Sequence, residues 1–116
     1  MAKKKLTVVI RANPFSWKTF EALRQAVGSA MNHEVSVIFM RDAVYSLTDW
    51  NPKLIGIEPF DKSFSALGMM DAKVYVEEEA LRERGINIKD WGININIEPK
   101  DEICEIIKSS EVVLTW

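Results

Sequence analysis

Cysteine and histidine each occur once in this chain of 116 residues, and glycine only five times. A single cysteine excludes an internal disulfide and a cysteine-based zinc site. Without a second histidine, no transition-metal centre is expected. Thiol chemistry must pass through Cys104 or be absent. No apolar run approaches the ~18 residues of a membrane-spanning helix. Behind Met1-Ala2-Lys3-Lys4-Lys5 the apolar run is only Leu6–Ile10, shorter than the ~7–15 residues of an export signal. The lysines read as a solvated lead-in to a strand. An excess of positive charge is missing too: 15 Lys+Arg against 17 Asp+Glu give a formal charge of -2, which argues against direct nucleic-acid binding. Neither membrane association nor a cofactor is expected, and a cytoplasmic location suits one unpaired thiol.

What is present belongs to a globular chain: 47% apolar and 28% charged residues, in a length typical of a single domain, here 1–116. Leu6–Ile10 is a continuous β-branched run, as a strand covered on both faces should be. Asn13-Pro14-Phe15-Ser16 breaks it. Ser16 is placed to cap a helix over 17–30, with Phe20, Leu23, Val27 and Met31 on one face. A second strand is expected over 35–40. Beyond it, a short helix capped by Asp42 carries Val44 and Leu47, and a loop runs from Trp50 to Pro59. Asp61 is read as the cap of a helix presenting Phe64, Leu67 and Met70.

A third strand, 73–76, leads into a helix over 77–84 closed by Gly85, a residue type that accepts φ > 0. Ile93–Ile97 alternates strictly and reads as a strand near an edge. Lys100–Ser109 follows as a helix with Ile103, Ile106 and Ile107 inward, and Glu111–Trp116 closes the chain as a strand. This alternation predicts a three-layer α/β/α sandwich with a mainly parallel sheet of about five strands. Sites in such folds lie beyond the carboxyl ends of the strands.

The loop after the first strand contains no glycine, so neither a Walker loop nor a dinucleotide fingerprint can form there. Arg11, Asn13, Asp42 and Tyr45 are the polar residues expected around the strand ends, joined by Glu77 and Glu78. Glu77-Glu78-Glu79 either complements a helix dipole or forms a carboxylate site, and the dipole role is the simpler account. Three consecutive helical positions cannot converge on one atom. His33 falls in a turn at the opposite end and reads as solvated. Cys104 has Glu102 and Glu105 beside it rather than a cation or a helix N-terminus, so it reads as a packed, inert thiol. Trp17, Trp50 and Trp91 lie in or beside loops, either as interface anchors or partly buried under neighbouring segments.

Several strings, in order along nearly the whole chain, resemble the DsrE/DsrF-like sulfur-relay family, which includes the DsrEFH and TusBCD groups. They are Phe64-Ser65-Ala66-Leu67-Gly68-Met69-Met70-Asp71, Val74-Tyr75-Val76, Ala80-Leu81-Arg82-Glu83-Arg84-Gly85-Ile86, Asp42-Ala43-Val44-Tyr45-Ser46-Leu47 and the terminal Glu111–Trp116. The TusC/DsrF branch is the most similar. The resemblance implies a small cytoplasmic α/β protein that forms homo-oligomers, or hetero-oligomers with DsrE- and DsrH-like paralogues. It also implies that active subunits carry persulfide sulfur on a cysteine after the third strand, a position matched here by Glu77. Ala43 stands where the family has glycine. The expectation is thus a subunit with no catalytic residue of its own. Its rivals are a sulfurtransferase using Cys104 and a small-ligand-binding domain built on Arg11, Asn13, Asp42 and Tyr45.

Overall fold

The computed structural model describes residues 3–116; Met1 and Ala2 of the lysine-rich lead-in lie outside the described residues. Among these described residues five strands form one sheet: β1 (Lys5–Ile10), β2 (Glu34–Phe39), β3 (Lys73–Glu77), β4 (Ile95–Glu98) and β5 (Val112–Thr115). Their spatial order is β4-β3-β2-β1-β5, and every neighbouring pair is parallel. Four helices connect them: α1 (Trp17–Ala30), α2 (Asp61–Met69), α3 (Glu78–Arg84) and α4 (Lys100–Lys108). The expected parallel α/β architecture is therefore present.

Side-chain alternation divides the sheet into two faces. Leu6, Val8, Ile10, Val35, Val37, Phe39, Val74 and Val76 join the larger core, together with residues of α1, α2 and α3. Val9 and Ile38 point the other way, onto Ile103 of α4. Connection handedness explains this. Steps from β1 to β4 move in one direction along the sheet, and right-handed crossovers put α1, α2 and α3 on one face. The return from β4 to β5 spans the sheet in the opposite direction, so α4 takes the opposite face.

Helix α1 begins as expected, with the Ser16 hydroxyl accepting the Lys18 N–H. Its buried face differs: Thr19, Ala22, Leu23, Ala26 and Ala30 are covered, Phe20 and Val27 lie at the margin, and Met31 is exposed. Alanines at spacings of four let the helix lie close on the sheet, where larger side chains would hold it off.

The segment after β2 is a 3-10 helix over Arg41–Leu47, not one capped by Asp42. Asp42 binds Arg84 instead. The left-handed residue here is Arg41 (φ 52), while Ala43 is fully buried inside the turn. The long connection contains a second 3-10 turn over Pro52–Ile55, initiated by the Asn51 side chain accepting the Lys53 N–H. Asp61 lies inside the first turn of α2, whose cap position belongs to Phe60. Met70, expected on the inner face, is exposed.

Glu77 ends β3 rather than opening α3, and Gly85 closes α3 in the left-handed conformation (φ 61). Strand β4 starts at Ile95 and lies at one edge of the sheet, as its alternation implied. Ile93 is used differently: it packs against α2 so closely that a Cβ at Gly68 would come within 2.7 Å of its Cγ2. Cys104 is exposed, contrary to the packed position expected.

Candidate functional site

In an open α/β sheet the crevice forms where neighbouring strands send their connections to opposite faces. Here that point lies between β3 and β4, since α3 and α4 leave on different sides. The register sets Glu77 beside Glu98 across it. The three glutamates that end β3 and open α3 then diverge. Glu77 is only 7% exposed, and its carboxyl accepts the Arg41 backbone N–H at 3.3 Å. Glu78 pairs with Arg82 one turn along α3. Both carboxyl oxygens of Glu79 lie within 3.0–3.1 Å of the Lys100 backbone nitrogen, at the start of α4.

That last contact gives the crevice its electrostatics. Hydrogen bonding from the Lys100 amide favours the charged carboxylate and holds Glu79 below the ordinary glutamate range; the nearby Arg82 and Lys100 charges add to this. Functionally, the start of α4 has an internal anion on it. An incoming anion would have to displace Glu79 and approach Glu77 and Glu98. Among the described residues, no group of three or more His, Cys, Asp or Glu is arranged to hold a metal ion.

The remaining strand-end residues are spread along the rim. The Arg11 amide donates to the Trp116 carbonyl at 2.8 Å, and the Arg11 side chain is exposed. Asn13 accepts the Phe15 N–H in a side-chain turn of 2.9 Å, so its carbonyl oxygen holds the loop. Asp42 is clasped by the Nε and a terminal nitrogen of Arg84, at 3.1 and 3.0 Å. Tyr45 is half-buried and its carbonyl accepts the Thr48 hydroxyl at 2.6 Å. The fold thus brings Glu77 to Arg41 and Asp42 to α3. It commits Asn13 and Asp42 to intramolecular bonds.

The tryptophans fall into two groups. Trp17 is 63% exposed at the start of α1. Trp50 lies between Phe15 and Phe60, with ring centroids at 5.4 and 5.8 Å. Trp91 instead serves the fold: its indole N–H donates to the Leu47 carbonyl at 3.0 Å, its ring packs on Phe64, and Lys89 lies over it at 4.3 Å. His33 stands just before β2, its Nδ1 accepting the Lys4 N–H.

Sequence reasoning missed one surface feature. An open groove of about 920 Å³ runs along the β3–β4 edge, lined by Lys73, Tyr75, Asn96 and Glu98 from the strands, by Asn94 just before β4 and by Met69. The polar positions of the alternating β4 segment were its signal. Asn94 donates to Asn96, and Asn96 to the Val74 carbonyl, so this polar row belongs largely to the sheet.

Residues 4–116 match the profile of the DsrE/DsrF-like family. The intracellular sulfur oxidation protein DsrF of Allochromatium vinosum is 30% identical over 106 residues, covering 84% of this chain and 76% of that protein. Among solved structures, the ychN protein of E. coli superimposes with a TM-score of 0.81 at 21% identity, covering 97% and 99% of the two chains. A conserved protein of unknown function from Bacteroides thetaiotaomicron gives 0.70 at 13% identity, covering 97% and 95%. At these identities the two structural likenesses bear on the fold alone.

Proposed function

The chain belongs to the DsrE/DsrF-like family, and we propose that it is a non-catalytic, DsrF-like subunit of an intracellular sulfur relay. In this reading it carries no sulfur itself and assembles with further copies or with cysteine-bearing DsrE- and DsrH-like paralogues in the cytoplasm. One observation carries the reading: the position that resembles the family's carrier cysteine is Glu77, a buried carboxyl bonded to the Arg41 amide. A carboxyl group has no sulfur with which to accept or pass on a persulfide. Glu79 on the Lys100 amide adds negative charge at the same end, which opposes the approach of an anionic persulfide. The relative's name places DsrF in intracellular sulfur oxidation, and among the described residues no helix is long and apolar enough to cross a membrane.

The exposed Cys104 favours one alternative, a sulfurtransferase using that thiol. One experiment separates the two. The native chain and Cys104→Ser are incubated with a persulfide donor, their masses are recorded, and transfer to an acceptor thiol is followed. The expected result is no forwarded sulfur from either protein. Stoichiometric sulfur on the native chain that reaches the acceptor, and is lost in Cys104→Ser, would establish the alternative. Light scattering with and without a cysteine-bearing DsrE-like subunit tests assembly. A chain that stays monomeric under both conditions rules out the subunit role.

A further inference from the structure

The cations and acids at the strand ends are unequally engaged. Arg11, Lys18 and Arg41 are exposed, and none has a carboxyl partner within ion-pair distance among the described residues. Four of the neighbouring acids are already occupied: Asp42 by Arg84, Glu77 by the Arg41 amide, Glu78 by Arg82 and Glu79 by the Lys100 amide; Glu98, at the end of the edge strand β4, has no ion-pair partner among the described residues. On a chain of formal charge -2, the positive character is therefore local.

Topology brings these cations together. Ile10 pairs with Phe39 in the β1–β2 register, so Arg11 and Arg41 leave neighbouring strands, which run about 5 Å apart. Lys18 sits in the first turn of α1, directly beyond the β1 loop. The same loop and turn present Phe15, 59% exposed, and Trp17, 63% exposed. Beneath Phe15, the Trp50 indole N–H is buried without an acceptor. Glu58 and Asp61, in the connection before α2, also lack ion-pair partners among the described residues. The positive side is thus the Arg11–Lys18–Arg41 corner and not the whole rim.

We infer that the surface formed by Arg11, Phe15, Trp17, Lys18 and Arg41 docks an acidic segment of a partner protein that also carries apolar side chains. Aromatic and arginine side chains are the types that dominate protein interfaces. Unengaged cations beside them select a partner by charge complementarity. Nucleic acid fits less well, because its binding tracks many phosphates with many cations and here there are three. The inference shares with the proposed function only the premise of a protein partner, and the light-scattering test of assembly is separate from the one below.

The intact chain is used to select from a random peptide library, and the enriched peptide is titrated into isotope-labelled protein followed by NMR. Acidic sequences containing Leu, Phe or Trp are expected. They should shift the Arg11, Phe15, Trp17 and Arg41 amides and bind more weakly as salt rises. The double variant Arg11→Glu/Arg41→Glu should bind at least about tenfold more weakly with an unchanged melting temperature. If that variant does not fold, Arg11→Glu/Lys18→Glu makes the same measurement on exposed positions. Basic or neutral consensus sequences, no enrichment, shifts elsewhere or undiminished binding by the folded variant would each overturn the inference. So would tighter binding at these residues by thiosulfate or a single-stranded oligonucleotide, which would mark the surface as a small-anion or nucleic-acid site.

Discussion

Replacing Glu77 tests what the buried carboxyl at the end of β3 does. Its carboxyl meets the backbone N–H of Arg41, not the guanidinium, at 3.3 Å, and Arg41 is held in the left-handed region at φ 52. Removing the acceptor with Glu77→Ala should cost about 1 kcal/mol, the net worth of an ordinary hydrogen bond, because the bond is long and only part-buried. For a chain of this length that is a fall in Tm of about 4 °C per kcal/mol. Glu77→Gln keeps an acceptor oxygen and should recover most of the loss. The informative background is Arg41→Gly. Glycine relieves a left-handed strain of roughly 1 kcal/mol and gives back a similar amount through the freer unfolded chain, so its own effect is small. It also keeps the N–H. The Glu77→Ala penalty should therefore persist in Arg41→Gly, measured by urea denaturation of all four proteins. A penalty that vanishes there would mean that Glu77 acts through the arginine charge, and the backbone-clasp account would be wrong.

Three further outcomes follow from the same geometry. The pKa of Glu79 is lowered in the fold by the Lys100 amide, so its stabilisation is present above the ordinary glutamate range and lost as pH falls through the lowered value; the stability gap between native and Glu79→Gln should be constant near neutrality and close in acid. At Gly68 an added Cβ meets Ile93 Cγ2 at 2.7 Å, so Gly68→Ala should destabilise by about 1–2 kcal/mol; in an Ile93→Ala background that penalty should largely disappear, and an unchanged penalty would refute the steric cause. Cys104, exposed on α4, should react stoichiometrically with a thiol reagent in the native state, and Cys104→Ser should alter stability by less than about 0.5 kcal/mol.

The parts of this fold legible in the sequence are those governed by neighbours along the chain. The β-branched runs of β1 and β2, the Ser16 cap and the Gly85 stop depend on residues within one turn or one pleat, and each appears where its local chemistry places it. The exposure of Cys104, which was expected to be packed, could have been found by the same means. At about 100° per residue the residue stands well off the direction shared by Ile103, Ile106 and Ile107, so helical periodicity alone puts it outside the apolar stripe. The buried face of α1 was ambiguous, because Phe20, Val27 and Met31 and the alanines at 22, 26 and 30 both recur at helical spacing. Hydrophobicity favours the first set, and close approach to a sheet favours the second.

The site was less legible because its partners are distant in sequence. Asp42 and Arg84 are separated by 42 residues, Trp91 and Leu47 by 44, and Arg41 and Glu77 by 36. Asp42 and Asp61 look like helix caps locally, yet neither caps a helix. A tertiary ionic bond takes Asp42, and Phe60 already occupies the position before α2.

The three consecutive glutamates show how the surrounding fold sets the role of one residue type. Glu78 faces its own helix and contributes a pair with Arg82, an exposed contact of little energetic weight. Glu77, buried at the end of a central strand, clasps the turn that follows the neighbouring strand. Glu79 crosses the crevice to the start of the helix on the opposite face. Two of the three therefore join the connections of β2, β3 and β4, the region where an α/β sheet offers its ligand crevice. A chain that ties those connections together with its own carboxyl groups has made the crevice a structural joint. The corner formed by Arg11, Phe15, Trp17, Lys18 and Arg41 keeps cations and aromatic rings unengaged on the outer rim, which is the chemistry of a surface that meets another protein.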